Sequence, residues 1–315
     1  MAKYILKRLV YSFLTIFLIV ALTFFMMHAL PGDPFSTGKA IDPQIMAALK
    51  EKYDLDKPVP QQFVKYCMNV LQGDLGTSLQ YKRPVVDIIG ESFPYSFELG
   101  VRALVFATVA GLLLGILAAV KRGTVWDSGS MLVAMLGVSM PSFIIGALLQ
   151  FFLGLQLQKA LGFSVFPITG WTTEMSKILP AFALGFGTLA IVSRLMRTSM
   201  LDVLNQDYIK TAKAKGLSHK KIIWRHAVRN AIMPIITIMG PQAAAILTGA
   251  LVVEKLFSIP GMGKFFVTSI HNNDFTMIAG TTIFYGVFLV AANLIVDILY
   301  CFIDPRVKLA DGKEG

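Results

Sequence analysis

Apolar residues in this chain come in unbroken blocks. Six runs stand out, at Leu9–Leu30, Leu99–Val120, Met131–Leu157, Ile178–Met196, Ala231–Val253 and Met277–Ile303. A helix needs roughly 20 apolar residues to cross a hydrocarbon core about 30 Å thick. The pattern predicts an all-α polytopic membrane protein with six transmembrane helices. The fourth run is the shortest: its clean apolar part ends at Val192 and Arg194 follows. Arginine side chains near a helix end reach back to the interface, so the run still reads as a span.

Two polar blocks interrupt the runs. The first, residues 31–97, carries helix and turn signals and reads as a small external helical subdomain between spans 1 and 2. Asp42 and Pro43 form an N-cap and first-turn pair that predicts a helix over 43–53. A second helix is expected over 60–72, with Phe63, Val64, Cys67, Met68 and Leu71 on one side, followed by a turn-rich stretch from Gly73 to Ser78. Two roles fit this segment: a cap over the helix ends, or a receiver for a binding protein or substrate. The second block, a loop over 200–230, is basic. Lys210, Thr211, Ala212, Lys213, Ala214 and Lys215 make a small-faced cationic turn of helix that Gly216 breaks and Ser218 restarts.

Composition agrees with the pattern. The chain is 55% hydrophobic and 15% charged, against about 25% charged in soluble domains. Its net charge of +10 is distributed unevenly. Three Lys or Arg lie in the N-terminal tail, two in the Lys121–Arg122 turn, nine from Arg194 to Arg229 and three in the C-terminal tail, against four in the alternate short loops. Basic residues gather on the cytoplasmic side, which predicts that both termini and the 200–230 loop are cytoplasmic. Nucleic acid is not needed to explain the charge. The Leu9–Leu30 run exceeds the 7–15 residues of a cleaved signal's apolar region and reads as a retained span, residues 1–30 forming the tail and first helix. Cys67 and Cys301 fall on opposite sides in this topology and imply no disulfide.

Within the spans, Gly111 with Gly115, Ala181 with Gly185, and Gly240 with Ala244 have the spacing that lets helix backbones approach closely. Pro141, Pro180, Pro234 and Pro241 permit kinks. Ionisable groups at mid-membrane mark ion pathways, and the chain has few: Glu98 and Arg102 are expected to pair with each other, and Asp297 lies near the end of the last span. Gln150, Gln242 and Asn293 read as interhelical hydrogen-bond formers. A proton- or sodium-driven carrier would need more. His28, His219, His226 and His271 have no zinc-binding spacing, and Gly263-Lys264 lacks the rest of a phosphate loop. The residues imply no catalytic, cofactor or metal site in this chain.

Five ordered motifs carry a resemblance. They are His28-Ala29-Leu30-Pro31-Gly32-Asp33-Pro34, Gly73 to Ser78, Tyr208 to Leu217 with Arg225 to Ala231, Glu254 to Gly263, and Asp304-Pro305-Arg306. Together they resemble the first of the two permease subunits of oligopeptide, dipeptide and nickel-type ABC importers, over almost the whole length. The resemblance implies a five-helix importer domain over 98–303, a cytoplasmic tail over 304–315 and a multi-pass place in a bacterial or archaeal plasma membrane. It also implies a second homologous permease subunit, two cytoplasmic ABC ATPases carrying ATP and magnesium, and an external solute-binding protein.

In that family the 207–217 segment docks the ATPase. The docking residues are then Tyr208, Lys210, Thr211, Ala212, Ala214, Lys215, Gly216 and Leu217, with Ala212 and Ala214 keeping the helix narrow, Tyr208 and Leu217 as apolar anchors and the lysines facing an acidic rim. The alternative for the lysines is attraction to anionic membrane lipid, about 1 kcal/mol each. The segment departs from the general importer pattern, since Lys210-Thr211-Ala212 replaces an acidic start and Pro234 follows Gly216 by 18 positions. Oligopeptides are the favoured substrate, with dipeptides, nickel complexes or another small solute as alternatives. A secondary carrier or a non-transporting scaffold are the readings from other classes.

Overall fold

The structure is a computed structural model that describes residues 2–29, 57–248 and 250–303. The helix expected over 43–53 and the Asp304-Pro305-Arg306 motif lie outside the described residues. Helices dominate: α1 Ala2–Ala29, α2 Val59–Leu71, α3 Val85–Val120, α4 Val125–Ser139, α5 Ser142–Leu161, α6 Glu174–Leu204, α7 Asp207–Ala214, α8 His219–Ala231, α9 Met233–Thr248, α10 Leu251–Leu256, α11 Met262–His271 and α12 Phe275–Ile303. Among the described residues there is no strand beyond an isolated bridge between Thr77 and Pro84. Among the described residues, five helices are long and apolar enough to cross a membrane, and the α8–α9 pair, bent by 51°, brings the number to six where the pair is counted as one broken span.

Contacts divide the chain into two units, residues 95–260 and residues 1–94 with 261–315. The first is organised around α6. In the G-x-x-x-G of α3, a Cβ on Gly111 would lie 2.9 Å from the Leu189 carbonyl, and one on Gly115 would lie 2.6 Å from Met196 Cβ and the Ser193 carbonyl. Any side chain there would push α6 away, so the glycines set the distance of approach. A Cβ on Gly185 of α6 would likewise lie 2.6 Å from the Ala103 carbonyl, one on Gly137 of α4 2.7 Å from the Ala190 methyl, and one on Gly146 of α5 2.8 Å from the Leu256 side chain. Thus α6, the least convincing span in the sequence, is the most enclosed helix of the unit. A helix wrapped in protein rather than lipid needs less apolar surface of its own.

Proline accounts for a second departure from the expected spans. The run Met131–Leu157 is two helices, because Pro141 has no N–H to continue the ladder, which stops where Met140 N donates to Leu136 O. The fifth run is divided between α9 and α10, although no proline lies between them and Pro241 is within α9. Gln150 bridges elements as expected, its Nε2 donating to Ile168 O at 2.8 Å and Leu256 O at 3.1 Å. The Glu254 to Pro260 motif tucks Phe257 and Ile259 into a buried cluster with Leu99, Ile145, Trp171 and Leu179.

In the other unit, α1 packs along α12, and α2 packs beside α1. Phe63 lies within 5.3 Å of the Phe24 and Phe25 rings, and Gln62 bonds His28 at 2.9 Å. The helix expected over 60–72 therefore forms, with a different inner face. Phe63, Tyr66, Cys67 and Val70 are half-buried, whereas Val64, Met68 and Leu71 are exposed. The Gly73 to Ser78 motif is a left-handed turn pair at Gly73 and Gly76, closed by the Asp74 carboxylate accepting from Gly76 N at 2.8 Å. Buried Asp274 holds it to the start of α12, accepting from Ser78 Oγ, from the backbone N–H groups of Leu79 and Gln80, and from Met277 N at 3.1 Å as the helix cap.

Candidate functional site

The basic segment folds as a helical hairpin. Its first arm, α7, starts after Gln206 in extended backbone and ends where Gly216 turns left-handed at φ +74°. There Gly216 N donates to Lys213 O and Leu217 N to Ala212 O, closing the helix end as glycine caps do. Ser218 re-enters extended backbone, and α8 runs back with a π-helical stretch over Ile222–Ala227. Ile209, Ala212 and Ile222 are buried together with Leu217 packed on them, forming a small core for the hairpin. Asn230 Nδ2 donates to the Tyr208 hydroxyl at 3.2 Å, tying the two arms at their base.

This core divides the sequence-derived set. Tyr208, Lys210, Thr211, Ala214, Lys215 and Gly216 are exposed, while Ala212 and Leu217 face into the hairpin. Ala212 is small because α8 packs against it, and Leu217 anchors the turn from inside. The outward face is a polar, cationic tip with one aromatic ring. Lys213, Lys220, Lys221, Arg225 and Arg229 extend it, and Trp224 projects beside them. Lys210 pairs with Asp207 at 2.8 Å, but both are well exposed, where ion pairs contribute little.

The hairpin is welded to the transmembrane helices. Ile223, Ala227, Ala231 and Ile235 share a buried cluster with Val192, Met196 and Met200 of α6 and Ile116 and Ala119 of α3. Ser199 Oγ donates to Ala231 O at 2.8 Å at the same junction. Nearby, Arg197 of α6 grips Asp127 of α4 through Nε at 2.6 Å and a terminal nitrogen at 2.9 Å, and Asp127 also accepts from Gly123 N at 3.0 Å. Paired Arg–carboxylate bonds are both strong and directional. The hairpin thus packs directly on α6 and α3, and α6 is joined to α4 both by close packing at Gly137 and by this ion pair. The Asp127–Arg197 pair was not legible in sequence, because 70 residues separate the partners.

A second polar cluster lies at the opposite end of α6. Glu98 and Arg102 pair as expected, at 2.7 Å. They also join Glu174, Lys177 and the Trp171 indole, with Lys177 Nζ 3.0 Å from both carboxylates and Trp171 Nε1 donating to Glu98 at 2.9 Å. Balanced in charge and mutually bonded, the cluster fastens α3 to the start of α6. Among the described residues no group of His, Cys, Asp and Glu has the geometry to hold a metal ion.

Comparisons with known proteins cover nearly the whole chain in two matches. The family described as binding-protein-dependent transport system inner membrane component matches residues 111–309, and its N-terminal counterpart matches residues 1–100. The chain is 45% identical over 312 residues to the dipeptide transport system permease protein of Bacillus subtilis, covering 98% of this chain and 99% of the relative. It is 40% identical over 311 residues to the oligopeptide transport system permease protein of Haemophilus influenzae, covering 98% and 100%. The corresponding oligopeptide permease protein of Escherichia coli is 37% identical over 311 residues, with the same coverage. With its apolar helices and matches spanning nearly the whole length, the chain belongs to the family of binding-protein-dependent transport system inner membrane components.

Proposed function

We propose that this chain is one of two permease subunits of an ATP-driven importer that moves oligopeptides across the plasma membrane. The observation that carries the proposal is the cationic hairpin, whose exposed tip is free to meet a partner while its second arm is buried against α6 and α3. A tip that only bound lipid would not need that attachment. Under this reading the hairpin lies in the cytoplasm with both termini, and an ATPase carrying ATP and magnesium grips Tyr208, Lys210, Thr211, Ala214, Lys215 and Gly216. A second homologous permease, gripped by its own ATPase, completes the pathway, and an external solute-binding protein delivers the substrate. Closure of the ATPases moves the paired hairpins, and the glycine-packed helices around α6 transmit that motion as a rigid body. Shifting a gate from 1:99 to 99:1 requires a difference in binding of about 5.5 kcal/mol between its two states.

Relatives named for dipeptide transport support the shorter substrate as the second reading. Reconstitution with the second permease, the ATPases and the binding protein tests both, by ATP-dependent uptake of labelled peptides of graded length. Uptake that continues beyond three residues is expected. Uptake limited to dipeptides selects the second reading, and uptake by this chain without ATP sinks both.

A further inference from the structure

The break in the third span opens a cavity of about 270 Å³, lined among others by Met140, Ile145, Phe186, Gly187, Thr188 and Gln242. Three features distinguish it from a packing defect. First, Pro141 leaves the buried Gly137 carbonyl without its usual helical donor, and that oxygen would lie 3.5 Å from a Cβ on Gly187 across the gap. Unwound backbone inside a membrane protein persists where it lines a cavity, and such breaks mark binding sites in transporters. Second, Thr188 Oγ1 donates to Gln242 Oε1 at 3.0 Å, so the amide oxygen is engaged on a residue that lines the cavity, and the donor of that amide is its Nε2.

Third, Gly187 is not required for packing. Cβ atoms on Gly111, Gly115, Gly137, Gly146 and Gly185 would each come within 2.9 Å of a neighbour, whereas one on Gly187 meets nothing closer than 3.5 Å. Glycine within a helix is about 1 kcal/mol less favourable than alanine. The missing methyl leaves room beside the Gly137 carbonyl on the wall of the cavity.

We propose that this cavity binds the main chain of the transported peptide during passage. Main-chain amides carry one donor and one acceptor each, and the wall offers both: the Gly137 carbonyl to accept and Gln242 Nε2 to donate. The rest of the lining is uncharged and mixes apolar side chains with the hydroxyls of Ser142 and Thr188, suited to side chains of varied kind. At about 270 Å³ it falls just below ligand pockets of roughly 300–1,000 Å³, so it would hold a segment of one or two residues rather than a whole oligopeptide. This rests on the peptide-importer reading above.

The test uses the complete reconstituted transporter. Gly187→Leu fills the cavity and Gln242→Leu removes the donor. In complexes with full subunit assembly, each is expected to lower ATP-driven peptide uptake at least tenfold, with Gln242→Asn between Gln242→Leu and the wild type. Met140→Cys, in a Cys67→Ser and Cys301→Ser background, should react with a small polar thiol reagent and be protected by saturating peptide-loaded binding protein. Wild-type uptake by Gly187→Leu or Gln242→Leu overturns the proposal, as does a Met140→Cys thiol that is unreactive or unprotected while wild-type complexes still import peptide. If wild-type complexes move only a non-peptide solute, the importer's substrate assignment fails together with the cavity's.

Discussion

Gly216 separates two explanations of the hairpin tip. Its φ of +74° lies in the left-handed region, and no atom lies within 4 Å of the position a Cβ would occupy. A substitution there is penalised by backbone conformation alone. Left-handed geometry costs an L-residue about 1–2 kcal/mol, and asparagine tolerates it better than most. Gly216→Asn should therefore lower the population of the correctly formed hairpin only slightly. Gly216→Ala should lower it by about 1 kcal/mol, roughly fivefold, and β-branched Gly216→Val by about 2 kcal/mol or more, roughly thirtyfold. The assay is co-purification of the ATPase subunits together with ATP-driven uptake in proteoliposomes, across the three variants. The expected order of activity is glycine, asparagine, alanine, valine. If asparagine is as damaging as valine, the tip requires an absent side chain at its partner surface rather than a left-handed turn. If valine is harmless, the hairpin does not transmit force.

Other regions give further predictions. Gly115→Ala places a methyl group 2.6 Å from Met196 Cβ and the Ser193 carbonyl, and overpacking of this kind costs about 1–3 kcal/mol; the transition measured by thermal unfolding in detergent should fall, while Gly187→Ala should leave it unchanged or raise it. Asp274→Ala removes the α12 cap and the acceptor of Ser78 together. It should increase proteolysis within 73–84, whereas Asp87→Ala, on an acid outside this contact, should not. Arg197→Met leaves Asp127 buried without its partner, which costs about 3–5 kcal/mol; the double variant Asp127→Leu/Arg197→Met should recover most of the assembled complex.

The apolar runs located the membrane helices because lipid imposes a composition on whatever it touches. That rule weakened at α6, where protein replaces lipid as the neighbour, and the glycines of the surrounding helices, rather than the residues of α6 itself, recorded its place. Pro141 was legible as a kink, but not as a complete break with a cavity beside it, since the gap depends on Gly187 and Ala183 across the interface. Residues 207–217 were legible as a hairpin because cation, small residue, glycine and serine follow in chain order. Which alanine faces inward was not, since that depends on the register of α8 and the position of Ile222. The ties from Asp274 to Ser78 and from Arg197 to Asp127 join residues far apart in sequence, so no local pattern announces them. On α2, the expected stripe included Val64, Met68 and Leu71, but the aromatic contacts of Phe63 and Tyr66 with α1 turned the helix the other way.

In the proposed mechanism the exposed hairpin tip is the cytoplasmic contact through which the ATPase acts on α6 and α3. Its most direct test is a single cysteine at Ala214, exposed on the tip, in a chain with Cys67→Ser and Cys301→Ser, probed in oriented membrane vesicles with a membrane-impermeant thiol reagent. Labelling is expected only from the cytoplasmic face, with loss of labelling when the ATPase subunits are bound. Labelling from the external face, or equal labelling with and without the ATPases, would contradict it.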